Sequence, residues 1–477
     1  MKSKWAVFAV VAIGVFMGTL DSSIVNISLP TIARDFGVPL NGTIEWVIIG
    51  YLVSSAALLL TAGRFSDLAG RKLVWTAGLV TFTLSSALCG LAPALWFLVA
   101  SRLLQGVGGA LLFSTSPALL TSAFPASERG RALGLNAVTV ALGTSAGPTL
   151  GGLITASLSW RWIFFVNVPL GLAGIFLTGL VLRESGERRK VRFDPLGAVL
   201  LGGGLASIIG ALSFASEMGF TSPLILGAFA LGLLLLASLL VAERRVENPV
   251  IKFELLKNRV FLSANLSLVL SFLALFAVSF IMPFYLEQLR SLPTEVAGLL
   301  LTPLPLTIAI VAPISGSLAD RLGSTRALAA GGLAVASVGL VLLGMLRADS
   351  SLLDIVLRLL VVGLGQAMFQ APNNSALLSS APASERGSAS GFMATGRVIG
   401  QSMSVAVSGA IFVALGGAAA GSALQAAGAI SEPARAGLQA TFLGGFRAAL
   451  FTCAGLAAVG VLSSLVRGGA ERRRGRL

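Results

Sequence analysis

The chain has 477 residues, 55 % of them hydrophobic and only 11 % charged, against about 25 % charged in soluble domains. That excludes an ordinary soluble enzyme and places the chain in lipid. Histidine is absent and there are two cysteines, which removes the commonest metal ligand, the usual proton shuttle near neutral pH and any disulfide framework; no metal site or cofactor is expected.

Apolar stretches of roughly 20 residues predict fourteen spans, all helical. They lie near 5–29, 44–62, 73–92, 94–118, 131–156, 162–182, 195–215, 223–242, 259–286, 296–318, 326–346, 351–373, 388–415 and 445–467. The first run is about 25 residues, too long for the core of a signal peptide, and carries Asp21. Asp21 is the only acid expected deep in a span. Gly14, Gly18, Val25 and Ser28 share its helical face, with Ser22 and Asn26 beside it. A small-and-polar face of this kind packs against other helices or a water-filled cavity. Desolvation favours the protonated form of a carboxylate, which suits Asp21 to exchange protons; a plain hydrogen bond to neighbouring helices is the alternative.

Glu45 opens span 2 at its outer end and Glu287 closes span 9 there. Both are expected to line an outward mouth and tune cation access, with exposed rim charges as the alternative. Gly63-Arg64-Phe65-Ser66-Asp67-Leu68-Ala69-Gly70-Arg71-Lys72 forms a tight turn between spans 2 and 3. Its glycines permit the turn, and Asp67 suits a helix N-terminus. In span 4, Arg102 is followed by Gln105, Gly106, Gly108 and Gly109. An arginine beside a protonatable aspartate favours its charged form and helps release the proton; an arginine bonded to helix carbonyls is the alternative. Span 5 carries Gly143, Gly147, Pro148, Gly151 and Gly152, where proline removes a helix hydrogen bond and glycines allow close packing.

The chain is duplicated. Pro-Ala-Ser-Glu-Arg-Gly occurs at Pro125–Gly130 and at Pro382–Gly387. Gly63, Asp67 and Gly70 recur as Gly316, Asp320 and Gly323, and Arg102-Leu103-Leu104 as Arg358-Leu359-Leu360. The stretch corresponding to the span 5 glycines, Gly400 to Gly409, lacks the proline and two glycines, so that element is specialised to one half. Same-order repeats in so apolar a chain point to a transporter of two membrane halves. Residues 1–182 form the first six-helix half, 183–258 a charged linker and two inserted helices, and 259–477 the second half with a basic tail. A short surface helix is expected within Gly416–Gly444. If the halves are related by a pseudo-two-fold axis, Asp67 is expected near Ser384–Gly387 and Asp320 near Ser127–Gly130, as paired gates.

Charge placement sets orientation. Of 34 Lys and Arg, three lie inside spans (Arg102, Arg358 and Arg397) and six on one side (Arg34, Arg161, Arg290, Arg347, Arg435 and Arg447), leaving 25 on the other. The rich side is cytoplasmic by the positive-inside rule, with both termini there. The net charge of +14 is thus a topology signal, and nucleic acid is not an expected partner.

These residues bring a family into view. The chain resembles the major facilitator superfamily, and within it the fourteen-span drug:proton antiporter branch. Leu20-Asp21-Ser22-Ser23-Ile24-Val25-Asn26-Ile27-Ser28-Leu29-Pro30 is similar to that branch's first-helix motif. Gly63–Lys72 is similar to the superfamily loop motif, with Leu68 in place of the usual arginine. Arg102–Gly109 resembles the fourth-helix proton-coupling motif and Gly143–Gly152 the fifth-helix antiporter motif; Trp46 and Tyr51 fit the second-helix pattern. The resemblance implies a monomer in the cytoplasmic membrane. It implies proton-driven export of amphipathic small molecules, often cationic, with protons and membrane lipid as its other partners. Asp21 and Arg102 would couple protons, and Ser22, Asn26, Glu45, Gln105, Glu287 and Arg397 would join Asp21 around the substrate. An exporter or flippase of lipid or lipid conjugates is the alternative, because three intramembrane arginines against one aspartate also suit a neutral or partly anionic amphiphile. Dication exporters are expected to carry further acids in the late helices, and none is expected deep there. No nucleophile–base pair is present, so an enzyme is not expected.

Overall fold

The computed structural model describes residues 4–39, 42–125, 128–183, 195–243, 253–322, 324–382, 386–426 and 431–466. Every regular element among them is helical, as a lipid-embedded backbone requires when it must satisfy its own hydrogen bonds. In chain order these are α1 (Lys4–Asp35), α2 (Gly42–Ala69), α3 (Arg71–Gly90), α4 (Leu95–Ala123), α5 (Arg129–Ser157), α6 (Trp162–Phe165) and α7 (Asn167–Val181). Then come α8 (Pro195–Met218), α9 (Pro223–Glu243), α10 (Phe253–Lys257) and α11 (Arg259–Phe284), which continues as a π-helical turn at Tyr285–Leu289. The rest are α12 (Thr294–Leu301), α13 (Pro303–Leu322), α14 (Thr325–Gly344), α15 (Leu352–Ser380), α16 (Arg386–Ala414), α17 (Gly417–Ala426) and α18 (Glu432–Leu465). Eleven helical stretches among the described residues are long and apolar enough to cross a membrane, and Thr43–Leu59 and Val199–Ala215 are shorter apolar helices. The chain is an integral membrane protein.

Two compact units emerge. One comprises Met1–Val38, Trp46–Ala211 and Thr221–Ile251; the other comprises Pro39–Glu45, Leu212–Phe220 and Lys252–Leu477. In the first, α1 packs against α4, α5 and α7, and α3 against α4 and α7. In the second, α11 packs against α15, α16 and α18, and α14 against α15 and α18. The pattern is the same, and so are its closest approaches. A Cβ added at Gly106 would strike the Tyr51 carbonyl, and one at Gly363 the Leu304 carbonyl. Gly108 rides over the Phe82 backbone as Gly365 rides over that of Ala336. The duplication read from the sequence is therefore a duplication of helix contacts. Gly70, between α2 and α3, has φ 102°, a backbone conformation that favours glycine.

Several element ends differ from expectation. Span 6 is two helices, α6 and α7, and span 10 divides at Thr302 into α12 and α13. Pro303 and Pro305 bring no N–H to that segment, so helical bonding weakens there. Span 14 begins at Glu432 rather than near 445. Its early residues are exposed and include Arg435. They are good helix formers, but the charge hides them from a search for apolar runs. The expected surface helix is α17, with Gly417, Ala418, Ala420 and Gly421 buried.

Candidate functional site

Asp21 lies in mid-α1 with no exposed surface. Its Oδ2 accepts from Arg102 Nη1 at 2.5 Å. Its Oδ1 accepts from Gln105 Nε2 and from Asn167 Nδ2, each at 2.9 Å. Arg102 is 1 % exposed and is itself held from three directions. Its Nε donates to the Val47 carbonyl of α2 at 2.7 Å, and Nη1 also donates to Gln105 Oε1 at 2.5 Å. The guanidinium carbon stands 4.5 Å from the Tyr51 ring centre and 5.7 Å from that of Phe164, in cation–π range. Gln105 Nε2 further donates to Ser86 Oγ of α3 at 2.8 Å, and the Cys89 thiol donates to Gln105 Oε1 at 3.8 Å.

This network draws on five helices of one unit. Arg102 and Gln105, three residues apart on α4, share one helix face. Asn167 enters at the start of α7, just after the break at Val166. Glycine makes the approach possible: Gly106 brings α4 onto the α2 backbone beside Tyr51, and Gly109 meets the Tyr51 ring. A buried carboxylate with both oxygens occupied is acceptor-only while ionised and becomes a donor at one oxygen once protonated. A proton on Oδ2 would compete with the Arg102 N–H for that oxygen.

The sequence matches the Major Facilitator Superfamily over residues 11–199 and again over 193–405. The chain belongs to the Major Facilitator Superfamily. Among its relatives within the superfamily is the riboflavin transporter RibZ of Clostridioides difficile (strain 630), 37 % identical over 83 % of this chain and 85 % of that protein. The multidrug resistance protein Stp of Mycobacterium tuberculosis is 35 % identical over 84 % of this chain and 74 % of that protein. The tetracenomycin C resistance and export protein of Streptomyces glaucescens is 32 % identical over 85 % and 76 %. A crystal structure of a bacterial homolog of the human lysosomal transporter Spinster superposes with a TM-score of 0.69 at 14 % identity, covering 97 % of this chain and 96 % of that one; at that identity it shows the fold alone.

Of the residues singled out in the sequence of this superfamily member, Asp21, Arg102 and Gln105 come together. Asn26 is buried nearby on α1 with no hydrogen-bond partner for Oδ1, and half-buried Ser22 donates to the Thr19 carbonyl. The span 5 glycines seat α5 on the stretch of α1 that carries Asp21. Gly143 meets Thr19 and the Phe16 carbonyl, Gly147 meets Ser23 and the Ile24 amide, and Gly151 meets Ile24 and Ile27. Gly152 is buried and Pro148 half-buried in the same helix. In the second unit Gly400 makes the first of these contacts, against the Val269 carbonyl and Leu273 amide of α11. The positions corresponding to Gly147 and Gly151 are Ser404 and Ser408. At the offset relating Gly63 to Gly316, Asp21 corresponds to Ala274. The buried Asp21–Arg102 ion pair is thus built in one unit.

Arg358, the counterpart of Arg102, does not repeat its role: it pairs with Asp354 on its own helix at 2.8 Å and donates to the Leu342 carbonyl. Arg397 is half-buried on α16. Glu45 and Glu287 are not exposed rim charges. Glu45 is 2 % exposed and Glu287 4 %. Glu287 stays inside because the π-helical turn extends span 9 to Leu289, three residues past its expected end. Glu45 lies in the first turn of α2, where the helix dipole favours a carboxylate. Its side chain covers Gly409 in a small cavity with Phe280, Phe284 and Phe412.

In the loop motif, Arg71 donates to the Ala118 carbonyl at 3.1 Å and Lys72 is half-buried. Gly63 lies against Ser114 and Gly316 against Ala371, again matching pairs. The side chains of Asp67 and Asp320, Gly323 and residues 383–385 lie outside the described residues, as does the basic tail. Asn167, Ser86 and Cys89 were missed in the sequence. Asn167 had a signal: with Thr178 it is one of two hydrogen-bonding side chains in the apolar stretch that follows Trp162, residues 163–181.

Proposed function

We propose that this chain is a proton-coupled antiporter that exports amphipathic small molecules, monocations among them, across the cytoplasmic membrane by alternating access. In this reading it has fourteen spans and both termini inside. The buried Asp21–Arg102 pair, with Gln105 and Asn167 on the second carboxylate oxygen, carries the proposal. Protonation from the outside breaks the pair; release to the inside re-forms it, and the exchange drives substrate outward. One pH unit supplies about 1.4 kcal/mol, and 100 mV adds about 2.3 kcal/mol per net charge moved. Together they support roughly several-hundredfold accumulation at one charge per cycle.

The names of the relatives support export of structurally varied compounds, and that of RibZ brings riboflavin into the substrate screen. Export of lipid or lipid conjugates would be favoured by an excess of buried arginine. Pairing of Arg102 with Asp21 and of Arg358 with Asp354 weakens that reading. Glu45 and Glu287, both buried, are assigned to cation access. Asp67 and Asp320 enter the proposal as gating residues of the duplicated loops.

The test is transport in proteoliposomes under an imposed pH gradient, with a fluorescent lipophilic monocation, riboflavin and a neutral amphiphile as probes. The wild type should move at least one probe against its gradient, and Asp21→Asn should not. Glu45→Gln and Glu287→Gln should slow the monocation more than the neutral probe. Transport indifferent to the pH gradient, or wild-type rates in Asp21→Asn, would overturn the reading.

A further inference from the structure

The second unit has a cleft of about 410 Å³ at the turn between α14 and α15, within the roughly 300–1,000 Å³ range of small-molecule sites. Leu342, Met345, Arg347, Asp349, Asp354 and Arg358 line it. It lies far along the chain from the proton network and the mechanism above leaves it unused.

The turn is fixed from below. Tyr285 Oη donates to the Arg347 carbonyl at 2.6 Å, and Arg290 Nη1 to the Ser350 carbonyl at 2.5 Å. Within the turn, Ser350 Oγ accepts from the Arg347 amide at 3.0 Å and Ser351 Oγ from the Asp354 amide at 3.2 Å. The charged side chains thus project from a braced backbone. Two arginines (Arg347 and Arg358) and two aspartates (Asp349 and Asp354) line the cleft, a balanced set of charges that suits a zwitterion. Arg358 spends Nε on Asp354 and Nη1 on the Leu342 carbonyl, and a guanidinium has five N–H groups, so donors remain for a ligand oxygen. Arg347 and Asp349 are exposed at the mouth.

The other wall is apolar and runs on into an exposed apolar stripe. Met345 lines the cleft, and Val338, Val341 and Met345, one turn apart along α14, are all exposed. A ligand matching both walls carries a phosphodiester, an ammonium close to it and hydrocarbon chains. We propose that this cleft holds the headgroup of a primary-amine phospholipid. The phosphate sits on Arg347 and Arg358, the ammonium on Asp349, and the acyl chains run along Val338, Val341 and Met345. Phosphates favour guanidinium partners, and a primary ammonium supplies three donors for a carboxylate.

The test uses the full chain reconstituted with mixed phosphatidylethanolamine and phosphatidylglycerol, or phosphatidylcholine and phosphatidylglycerol, then extracted and read by native mass spectrometry. A single phosphatidylethanolamine should survive delipidation on the wild type, and phosphatidylcholine, which has no N–H, should not. Arg347→Gln should lower retention roughly tenfold, as loss of one charge-assisted hydrogen bond requires. Asp349→Asn should erase the preference for phosphatidylethanolamine over phosphatidylglycerol. Both positions are exposed, and thermal melts confirm that the variants fold. Soluble glycerophosphoethanolamine should fail to displace the lipid. Equal retention in wild type and both variants, or displacement by the soluble headgroup, overturns the site.

Discussion

Asp21 accepts from three side chains on two other helices, and that number decides what its replacement does. Asp21→Asn leaves Arg102 buried without a countercharge, a loss of about 3–5 kcal/mol for a broken buried pair. A dead single variant would therefore confuse folding with coupling. Asp21→Asn combined with Arg102→Gln removes both charges. It should recover most of the lost thermal stability and still show no proton-driven transport; recovery of transport would show that the pair is structural. Asn167→Ala removes one of the two donors to Asp21 Oδ1, a hydrogen bond to a charged group worth about 1.5–3 kcal/mol. The variant should melt lower than the wild type and slow proton-driven transport; melts and rates equal to the wild type's would remove Asn167 from the network. Asp21 and Arg102 were legible because intramembrane charge is rare. Asn167 was not, because a lone asparagine in an apolar run has no partner visible in sequence. Its contact with Asp21 spans 146 positions and exists only once α1 and α7 pack.

At the scale of elements, the contrast between α5 and α16 is the informative one. Gly147 brings α5 within contact of the Ser23 side chain and the Ile24 amide of α1, two and three residues past Asp21. Its counterpart Ser404 is fully buried on α16 with a side chain already present. Gly147→Ser should therefore cost about 1–3 kcal/mol through overpacking and slow transport by displacing α1 beside Asp21. Ser404→Gly should cost about 1 kcal/mol or less, of the order of a glycine placed in a helix. Thermal melts and transport rates on the two variants test this; equal effects would mean that the glycine stripe is ordinary packing. The stripe itself was visible in the sequence, since glycine and proline are read directly. The breaks at Val166 and Thr302 and the long reach of α18 were not, because mean hydropathy records where lipid is and not where a helix bends or overshoots.

At the scale of the molecule, the repeat did most to make the fold legible. Several motifs repeated in the same order predicted a duplication, and the matching glycine approaches at Gly106 and Gly363 show it in the helix contacts. Counting spans is harder, because α8 and α9 have no counterpart in the repeat and hydropathy must carry them alone. Their packing offers a handle: Gly204 and Gly232 bring the two helices together, and Gly202 meets Ala57 of α2. If both cross the membrane and the N-terminus is inside, the turn joining them is outside and the turn between α2 and α3 is inside. Thr221 is exposed in the first turn and Lys72 half-buried at the second. The native cysteines, Cys89 and Cys453, have no exposed surface, so an impermeant maleimide should report only on an introduced thiol. Thr221→Cys should label on intact cells, and Lys72→Cys only after permeabilisation. Labelling of Thr221→Cys only after permeabilisation would mean that the inserted pair does not span as two helices, and the fourteen-span arrangement would fall. Ready labelling of Lys72→Cys on intact cells would invert the orientation read from the arginines and lysines, and with it the direction of export.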